Sequence, residues 1–565
     1  MMTTPARTSW TTTLCDSLEK VFADAAPRPI DSAIPLAAYR GQRVSFQIAV
    51  LPPTVEDPAA VPAVVVDVTS SSPVETVVHA VELVPNDLPA PEDADDGYLR
   101  TAPGLFPDLL RPVDGAPVPM VMGQWRSAWV DVTIPDDTDG GDVVVDVSLR
   151  LDTTGEVIAT HCVTVLVVAD TLPALSITNT HWFHCDGLAQ YYGHDVFSEP
   201  HWQSIDNFMG SAAAMRVNSV LTPVWTPPLD TARGGLRLPT QLVGIRDTGG
   251  ERYSFDFAQL GRWLQLCRKH RMRGIEVAHL FTQWGAEATP AIYVDTEAGQ
   301  ERRFGWDVPA TDPRYRTLLE QLIPQLRSFM DERWGLDHVI FHVSDEPLAA
   351  NLATYSAAKA VVQDLLEGCT VVDAIGDFEL YEQGVVDIPV VATDHAQPFL
   401  DANVEPLWLY YCVGQVRDVA NRFMSLPSSR NRVLGTQLWL AGAHGFLHWG
   451  FNFYNTVRSV RPTDPFRDTT AGGGFFGGDA FVVYPGPRGQ PLESIRHRVF
   501  TEAMDDHRAM QLLASRAGDE AVRAIADPDG SITLKSYPSD PNHYRRVALR
   551  MAEAIVASAP GLLKD

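Results

Sequence analysis

The apolar run Val339-Ile340-Phe341-His342-Val343 leads directly into Ser344-Asp345-Glu346-Pro347. Two like charges this close raise the proton affinity of one of them. One carboxyl can then stay protonated near neutral pH, as a general acid must. Glycosidases that use a separated pair of carboxylates hold them about 5–5.5 Å or roughly 6.5–9.5 Å apart, flanking the sugar. Sequence neighbours have Cα atoms about 3.8 Å apart, so their side chains suit two atoms of one ring. One carboxyl protonates the glycosidic oxygen and the other holds a neighbouring substituent. That division fits substrate-assisted hydrolysis, in which the 2-acetamido oxygen of the sugar is the nucleophile and an oxazolinium forms. A plainer role competes with it. Pro347 suits the first turn of a helix, and Ser344 or Asp345 would then be its N-cap.

A second set of residues surrounds this pair in the pattern of the chain. Trp182, Trp225, Trp284, Trp439 and Trp449 all fall at or near the ends of strand-like runs, with His184, Tyr410, Tyr411 and Asn452 in similar positions. Sugar rings have apolar C–H faces and polar edges, so an aromatic wall with a few carboxylates suits a glycan. Any one of these tryptophans would serve equally well in a packed core. The histidines His181, His184, His279 and His395 could converge with Asp345 on a metal, but zinc and iron sites need three or four ligands in fixed geometry. His181 and His184 lie three apart on a strand and so face opposite ways. No metal and no cofactor is expected. No Gly-x-Gly-x-x-Gly follows a strand and no Walker loop is present, so nucleotide chemistry is not indicated.

These residues need a scaffold that brings strand ends together. From Leu172-Pro173 onward, short apolar runs alternate with helical patterns. Strands are predicted at 177–186, 218–225, 274–281, 338–344, 371–375, 389–393, 407–411 and 445–453. Helices are predicted at 201–215, 257–271, 315–329, 348–366 and 493–513. Eight such repeats imply a closed (β/α)8 TIM-type barrel, whose sites lie at the C-terminal ends of its strands. Residues 30–170 read instead as Val-rich alternating strands cut by Pro, Asp and Gly clusters, which predicts a β-sandwich. The last fifty residues suggest a short strand around Ile532–Leu534 and a helix over 544–556. The expected division is a β-sandwich accessory domain at 1–172, a catalytic barrel at 173–515 and a small C-terminal region at 516–565.

Bulk properties narrow the partners. Against 44 Lys and Arg stand 71 Asp and Glu, a net charge of −27 over 565 residues. So acidic a chain argues against nucleic acid and anionic membrane as partners. The first ten residues are polar and show no secretory pattern. No run approaches the roughly 18 apolar residues of a membrane helix. Six cysteines are scattered without C-x-x-C or zinc spacing, which points to a reducing, cytoplasmic setting. The oligomeric state stays open.

Several blocks together resemble glycoside hydrolase family 123, the β-N-acetylgalactosaminidases, and its uncharacterised relatives. Ser344-Asp345-Glu346-Pro347 is similar to that family's catalytic motif. Gln124-Trp125-Arg126-Ser127-Ala128-Trp129-Val130-Asp131-Val132, followed by Gly140-Gly141, resembles its N-terminal sandwich. Gly445-Phe446-Leu447-His448-Trp449-Gly450 resembles its last barrel strand, and 478–486 with Ser494-Ile495-Arg496 the segment that closes the barrel. The resemblance covers roughly residues 37 to 510. It implies Glu346 as general acid/base and Asp345 as the residue that orients the acetamido nitrogen. A barrel tyrosine, Tyr410 or Tyr411, is expected on the acetamido oxygen by analogy with other substrate-assisted hexosaminidases. The implied substrate is an oligosaccharide or glycoconjugate ending in β-linked N-acetylgalactosamine. Three alternatives remain: a β-N-acetylglucosaminidase, a plain exo-glycosidase pairing the dyad with Asp186, Asp377 or Asp394, and a non-catalytic carbohydrate-binding protein.

Overall fold

A computed structural model describes residues 9–559. Residues 1–8, most of the polar start considered for a secretion signal, lie outside the described residues. By contact the chain forms two compact units. One comprises Met1–Ser176, Arg417–Leu440 and Leu492–Asp565, and the other Ile177–Val416 and Ala441–Pro491. This differs from the three-part division expected from sequence: the segment 417–440 and everything from 492 onward group with the N-terminal strands.

The first unit contains β1 (Thr11–Asp16), β2 (Leu36–Arg40), β3 (Arg43–Leu51), β4 (Val64–Ser70), β5 (Glu75–Asn86), β6 (Gly104–Pro112), β7 (Arg126–Thr133), β8 (Gly141–Leu151) and β9 (Val157–Thr171). They form a five-stranded sheet, β1-β3-β7-β5-β6, and a four-stranded sheet, β2-β9-β8-β4. Strand side chains alternate faces, so Phe46, Ile48 and Val50 of β3 join Val143, Val145, Val147 and Leu149 of β8 in one core. The edge strand β6 escapes the sequence pattern because it carries Pro107 and Pro112, and an edge tolerates a missing donor.

Two buried ion pairs tie distant segments of this unit. Arg496 holds Asp108 with both arms, at 2.8 and 2.9 Å. Arg498 reaches Asp131 at 2.9 Å. Burial alone would raise the Asp131 carboxyl, yet Arg498, Arg43 and His79 hold it well below the usual carboxylate range. Both arginines open the helix Ile495–Ala517, whose N-cap Ser494 accepts from the His497 amide. The short strand expected around Ile532–Leu534 does not form: these residues are irregular, between the helices Asp519–Ala526 and Pro541–Ala557.

In the second unit, β10 (Thr178–His181), β11 (Ser219–Thr222), β14 (Gly274–Val277), β17 (Val339–Phe341), β18 (Thr370–Ile375), β19 (Ile388–Ala392), β20 (Trp408–Tyr410) and β21 (Gly445–His448) close a parallel barrel. All eight are shorter than or close to the predicted runs. Between them, β12 (Gly244–Gly249), β13 (Arg252–Asp256), β15 (Ile292–Thr296) and β16 (Gly299–Phe304) form a separate sheet, β13-β12-β15-β16. Its strands are short and rich in charge, with only one or two apolar residues each on the buried side, so periodicity does not reveal them. The helix Ala258–Lys269 buries Leu260, Trp263, Leu264 and Cys267, the predicted i, i+3, i+4, i+7 stripe. Among the described residues no helix is long and apolar enough to cross a membrane.

Candidate active site

The barrel ladder supports the Asp345–Glu346 pair for only part of its approach. β17 pairs with β18 through Ile340↔Thr370 and Phe341↔Val371 and then ends. Side chains and neighbouring amides take over from there. Asp373 Oδ1 accepts from the Val343 and Ser344 amides at 3.0 and 3.2 Å. Ser344 Oγ donates to the Thr282 carbonyl at 2.8 Å, and the Trp284 amide donates to the Asp345 carbonyl at 2.9 Å. The helix that follows begins only at Leu352, behind a 3₁₀ turn at Ala349–Asn351. Neither Ser344 nor Asp345 is therefore its N-cap, and the capping role weighed from sequence is not the one the chain adopts.

Glu346 sits at φ 46°, in the left-handed region, as do Trp284 at φ 58° and Asp230 at φ 38°. For a residue with a Cβ that conformation costs on the order of 1–2 kcal/mol. All three residues line the same cavity, of about 670 Å³ including its open mouth, with Trp182, Gln283, Asp345, Tyr410, Cys412, Trp449 and Phe475. Local strain that gathers at one cleft points to function there.

Buried carboxylates orient the aromatic walls. Trp182 Nε1 donates to Glu276 Oε1 at 2.7 Å, and Trp449 Nε1 donates to Asp479 Oδ2 at 2.9 Å. Trp449 also meets Phe475, with ring centroids 4.9 Å apart. Trp284 is the exposed wall, at 40%. Tyr410 donates its hydroxyl to Glu346 Oε1 at 2.7 Å. Burial, then the charges of Glu346, Asp373 and Asp230, push the Asp345 carboxyl well above its ordinary range. Asp230 is itself pushed up to about 6, chiefly by burial. Its Oδ2 accepts from the Arg458 amide at 2.8 Å, and its own amide donates to Gln283 Oε1. The cavity thus holds three carboxyl groups, two of them with raised proton affinity, and an aromatic wall. Such a set can protonate a leaving oxygen and stabilise a developing positive charge.

The sequence profile of the glycoside hydrolase 123 catalytic domain matches residues 182–513. The chain belongs to glycoside hydrolase family 123. The fold agrees: a family 123 glycoside hydrolase from Clostridium perfringens, whose structural analysis concerns glycolipid glycan hydrolysis, shares 14% identity over 98% of each chain with a TM-score of 0.71. A family 2 glycosyl hydrolase from Bacteroides cellulosilyticus (10% identity, 84% of this chain and 49% of that one, TM-score 0.26) matches far more loosely. So does a β-glucuronidase from Ruminococcus gnavus (8%, 88% and 97%, 0.31). No protein of curated function matches the chain.

In this family 123 chain, the residues singled out from sequence divide into two groups. Asp345, Glu346, Trp182, Trp284, Tyr410 and Trp449 meet at the cavity. The others do not line it. Trp225 is fully buried, with its Nε1 on the His279 carbonyl. Tyr411 packs its ring against Phe446 and His448. Asn452 bridges both backbone groups of His184. The His184 ring lies between Arg237 and the Trp449 carbonyl. Trp439 belongs to the first unit, edge-on to His507.

The carboxylates weighed as distant partners are also committed elsewhere. Asp186 is clamped by Arg237, Asp377 caps the helix Phe378–Glu382, and Asp394 receives Gln415. Asp230 is the third carboxyl that lines the cavity, and sequence reasoning missed it. The only local signal is Trp225-Thr226-Pro227-Pro228 just past β11, a stiff loop at an active rim. Phe475 was hidden in the Gly-rich stretch 471–478. Among the described residues no group of three His, Cys, Asp or Glu is arranged to hold a metal ion.

Proposed function

We propose that this family 123 hydrolase is an exo-acting β-N-acetylgalactosaminidase. It removes non-reducing terminal β-linked N-acetylgalactosamine from oligosaccharides or glycoconjugates by substrate-assisted, retaining catalysis. The observation that carries this reading is the adjacency of Asp345 and Glu346 in one aromatic-walled cavity, with Tyr410 bonded to Glu346. Glu346 gives its proton to the glycosidic oxygen as the bond to C1 breaks. The acetamido oxygen attacks C1, and Asp345 accepts the acetamido N–H and balances the oxazolinium. Glu346 then takes a proton from the water that opens the ring. In the free site burial and three neighbouring carboxylates drive Asp345 to hold a proton. An N–H donated to Asp345 favours its ionised form, which the oxazolinium charge stabilises further. Tyr410 has one hydroxyl proton and two acceptors, Glu346 in the free site and the acetamido oxygen in the complex. The structural relative's role in glycolipid glycan hydrolysis supports a glycoconjugate substrate. Six free cysteines support action in a reducing, cytoplasmic compartment.

Asp230 favours one second reading, a plain exo-glycosidase in which it is the nucleophile opposite Glu346. Its raised carboxyl and the Arg458 amide on its Oδ2 suit a sugar hydroxyl better than an attack on C1. Purified enzyme is assayed on aryl β-N-acetylgalactosaminide, β-N-acetylglucosaminide and plain β-galactoside, with Asp345→Asn, Glu346→Gln and Asp230→Asn. Cleavage of the N-acetyl sugars alone, inhibition by a thiazoline mimic and collapse of both dyad variants support the proposal. The ratio of the two N-acetyl sugars decides the epimer. Equal turnover of the plain galactoside, abolished by Asp230→Asn and restored by azide, would replace it with the second reading.

A further inference from the structure

A line of buried side chains inside the barrel joins the aromatic wall to the backbone of the dyad. Glu276 on β14 is fully buried and accepts from Thr180 Oγ1 at 2.5 Å and Trp182 Nε1 at 2.7 Å, with His342 Nε2 also at 2.7 Å. His342 Nδ1 faces Asp373 Oδ1 at 3.8 Å. That same Oδ1 receives the Val343 and Ser344 amides, and Asp373 Oδ2 receives the Tyr355 hydroxyl from the helix Leu352–Val362. His279 stacks on His342 at 4.4 Å between centroids and stands edge-on to Trp182 at 5.0 Å. Glu276, His342 and Asp373 do not themselves line the cavity.

We propose that Glu276, His342 and Asp373 form a positioning relay for the reaction. Its Glu276 end fixes the Trp182 ring against the sugar, and its Asp373 end fixes the backbone from which Asp345 and Glu346 project. This rests on the dyad being the catalytic machinery. The ladder ends at Phe341, so the amides of Val343 and Ser344 depend on the Asp373 side chain for an acceptor. Removing one partner of a buried bonded group strands the other. The charges are matched as well. Burial works against a charged imidazole, but Glu276 and then Asp373 raise His342 above its ordinary value. The imidazole thus has a carboxyl group on each side, 2.7 Å and 3.8 Å from its two nitrogens, which couples the three groups electrostatically.

The charged and titratable groups facing Asp373 are His342, Tyr355 and Asp345. Beyond them, Glu276 and His279 face His342, and Glu346 and Asp230 act on Asp345. Asp373 adds negative charge beside the dyad. Neutralising it lowers the dyad's proton affinity, so both limbs of a bell-shaped pH–rate profile move toward acid.

The test uses the whole enzyme and whichever aryl glycoside the wild type cleaves. Asp373→Asn should lower kcat about tenfold or more, with KM within about threefold, and shift the profile to lower pH. Tyr355→Phe deletes only the hydroxyl that orients Asp373 and should move kcat and the profile the same way by about threefold. Glu276→Gln replaces a charged acceptor with a weaker amide one, loosens the Trp182 indole and should raise KM more than it lowers kcat. The proposal is overturned if folded Asp373→Asn and Tyr355→Phe keep wild-type kcat with an unshifted profile. It is also overturned if kcat and KM worsen equally with no shift, since that is general packing damage. Should Asp373→Asn not fold, Tyr355→Phe decides. Glu346→Gln is run beside them. If it stays active, the dyad reading has failed; if it collapses while the relay variants behave as wild type, only the relay has failed.

Discussion

Glu346 holds its side chain in the cavity from a left-handed backbone, and Tyr410 fixes one of its oxygens. Glu346→Gln should therefore lower kcat on a poorly activated glycoside by about 10²–10⁴, the range of general acid catalysis. An activated aryl leaving group should recover part of that loss. Tyr410→Phe should cost about tenfold in kcat on N-acetyl substrates and less on any substrate without the acetamido group; steady-state kinetics on paired substrates checks both. That Asp345 and Glu346 would come to one cavity was legible in the sequence, because the adjacency of two carboxylates after an apolar strand is itself the signal. Asp230 was not, because its meaning lies in a loop conformation and in Gln283, 53 residues away. The tryptophans show the same limit. Residue type is visible in a string of letters, but the direction of a ring is not: Trp182 and Trp449 turn to the cavity, while Trp225 and Trp439 turn to packing.

Two of the sequence blocks that resemble family 123 meet as a pair of neighbouring segments. The Phe453 amide donates to Ala480 and the Val482 amide to Phe451, so the stretch after β21 runs beside 479–482. Gly450 permits this approach. A Cβ there would come within 2.6 Å of the Ala480 carbonyl and 2.7 Å of the Asp479 carbonyl. Gly450→Ala must push the segments apart and disturb the Trp449–Asp479 bond. It should lower Tm by several degrees and weaken binding of a sugar-ring inhibitor, as thermal melts and calorimetry would show. At this scale the barrel strands were legible because buried parallel strands are short apolar runs. The sheet β13-β12-β15-β16 and the strand β6 were not, the first for its charge and the second for its prolines.

Titration of the molecule is set by buried carboxyls in both units. Glu502, buried and near Asp16 and Asp506, is pushed up to about 7 despite Arg432. An unfolded Glu titrates near about 4.3. Between those values the folded chain holds a proton that the unfolded chain has released, so stability falls as pH rises through that window. Asp373, pushed up to about 7, and Asp230, up to about 6, have the same sign. Melting curves should show Tm dropping between pH 5 and 7, and Glu502→Gln should flatten the drop.

The order of segments along the chain has a consequence for synthesis. The first unit opens with the N-terminal 176 residues but is completed by Arg417–Leu440 and Leu492–Asp565. Asp108 and Asp131 therefore leave the ribosome hundreds of residues before Arg496 and Arg498. A nascent sandwich cannot bury two unpaired carboxylates cheaply. The barrel's last strand, β21, is also made before those arginines exist. The part of the chain that begins first should thus be the part that finishes folding last. A fragment ending at residue 176 should accumulate as insoluble or protease-sensitive chain, unless the C-terminal segment is supplied in trans.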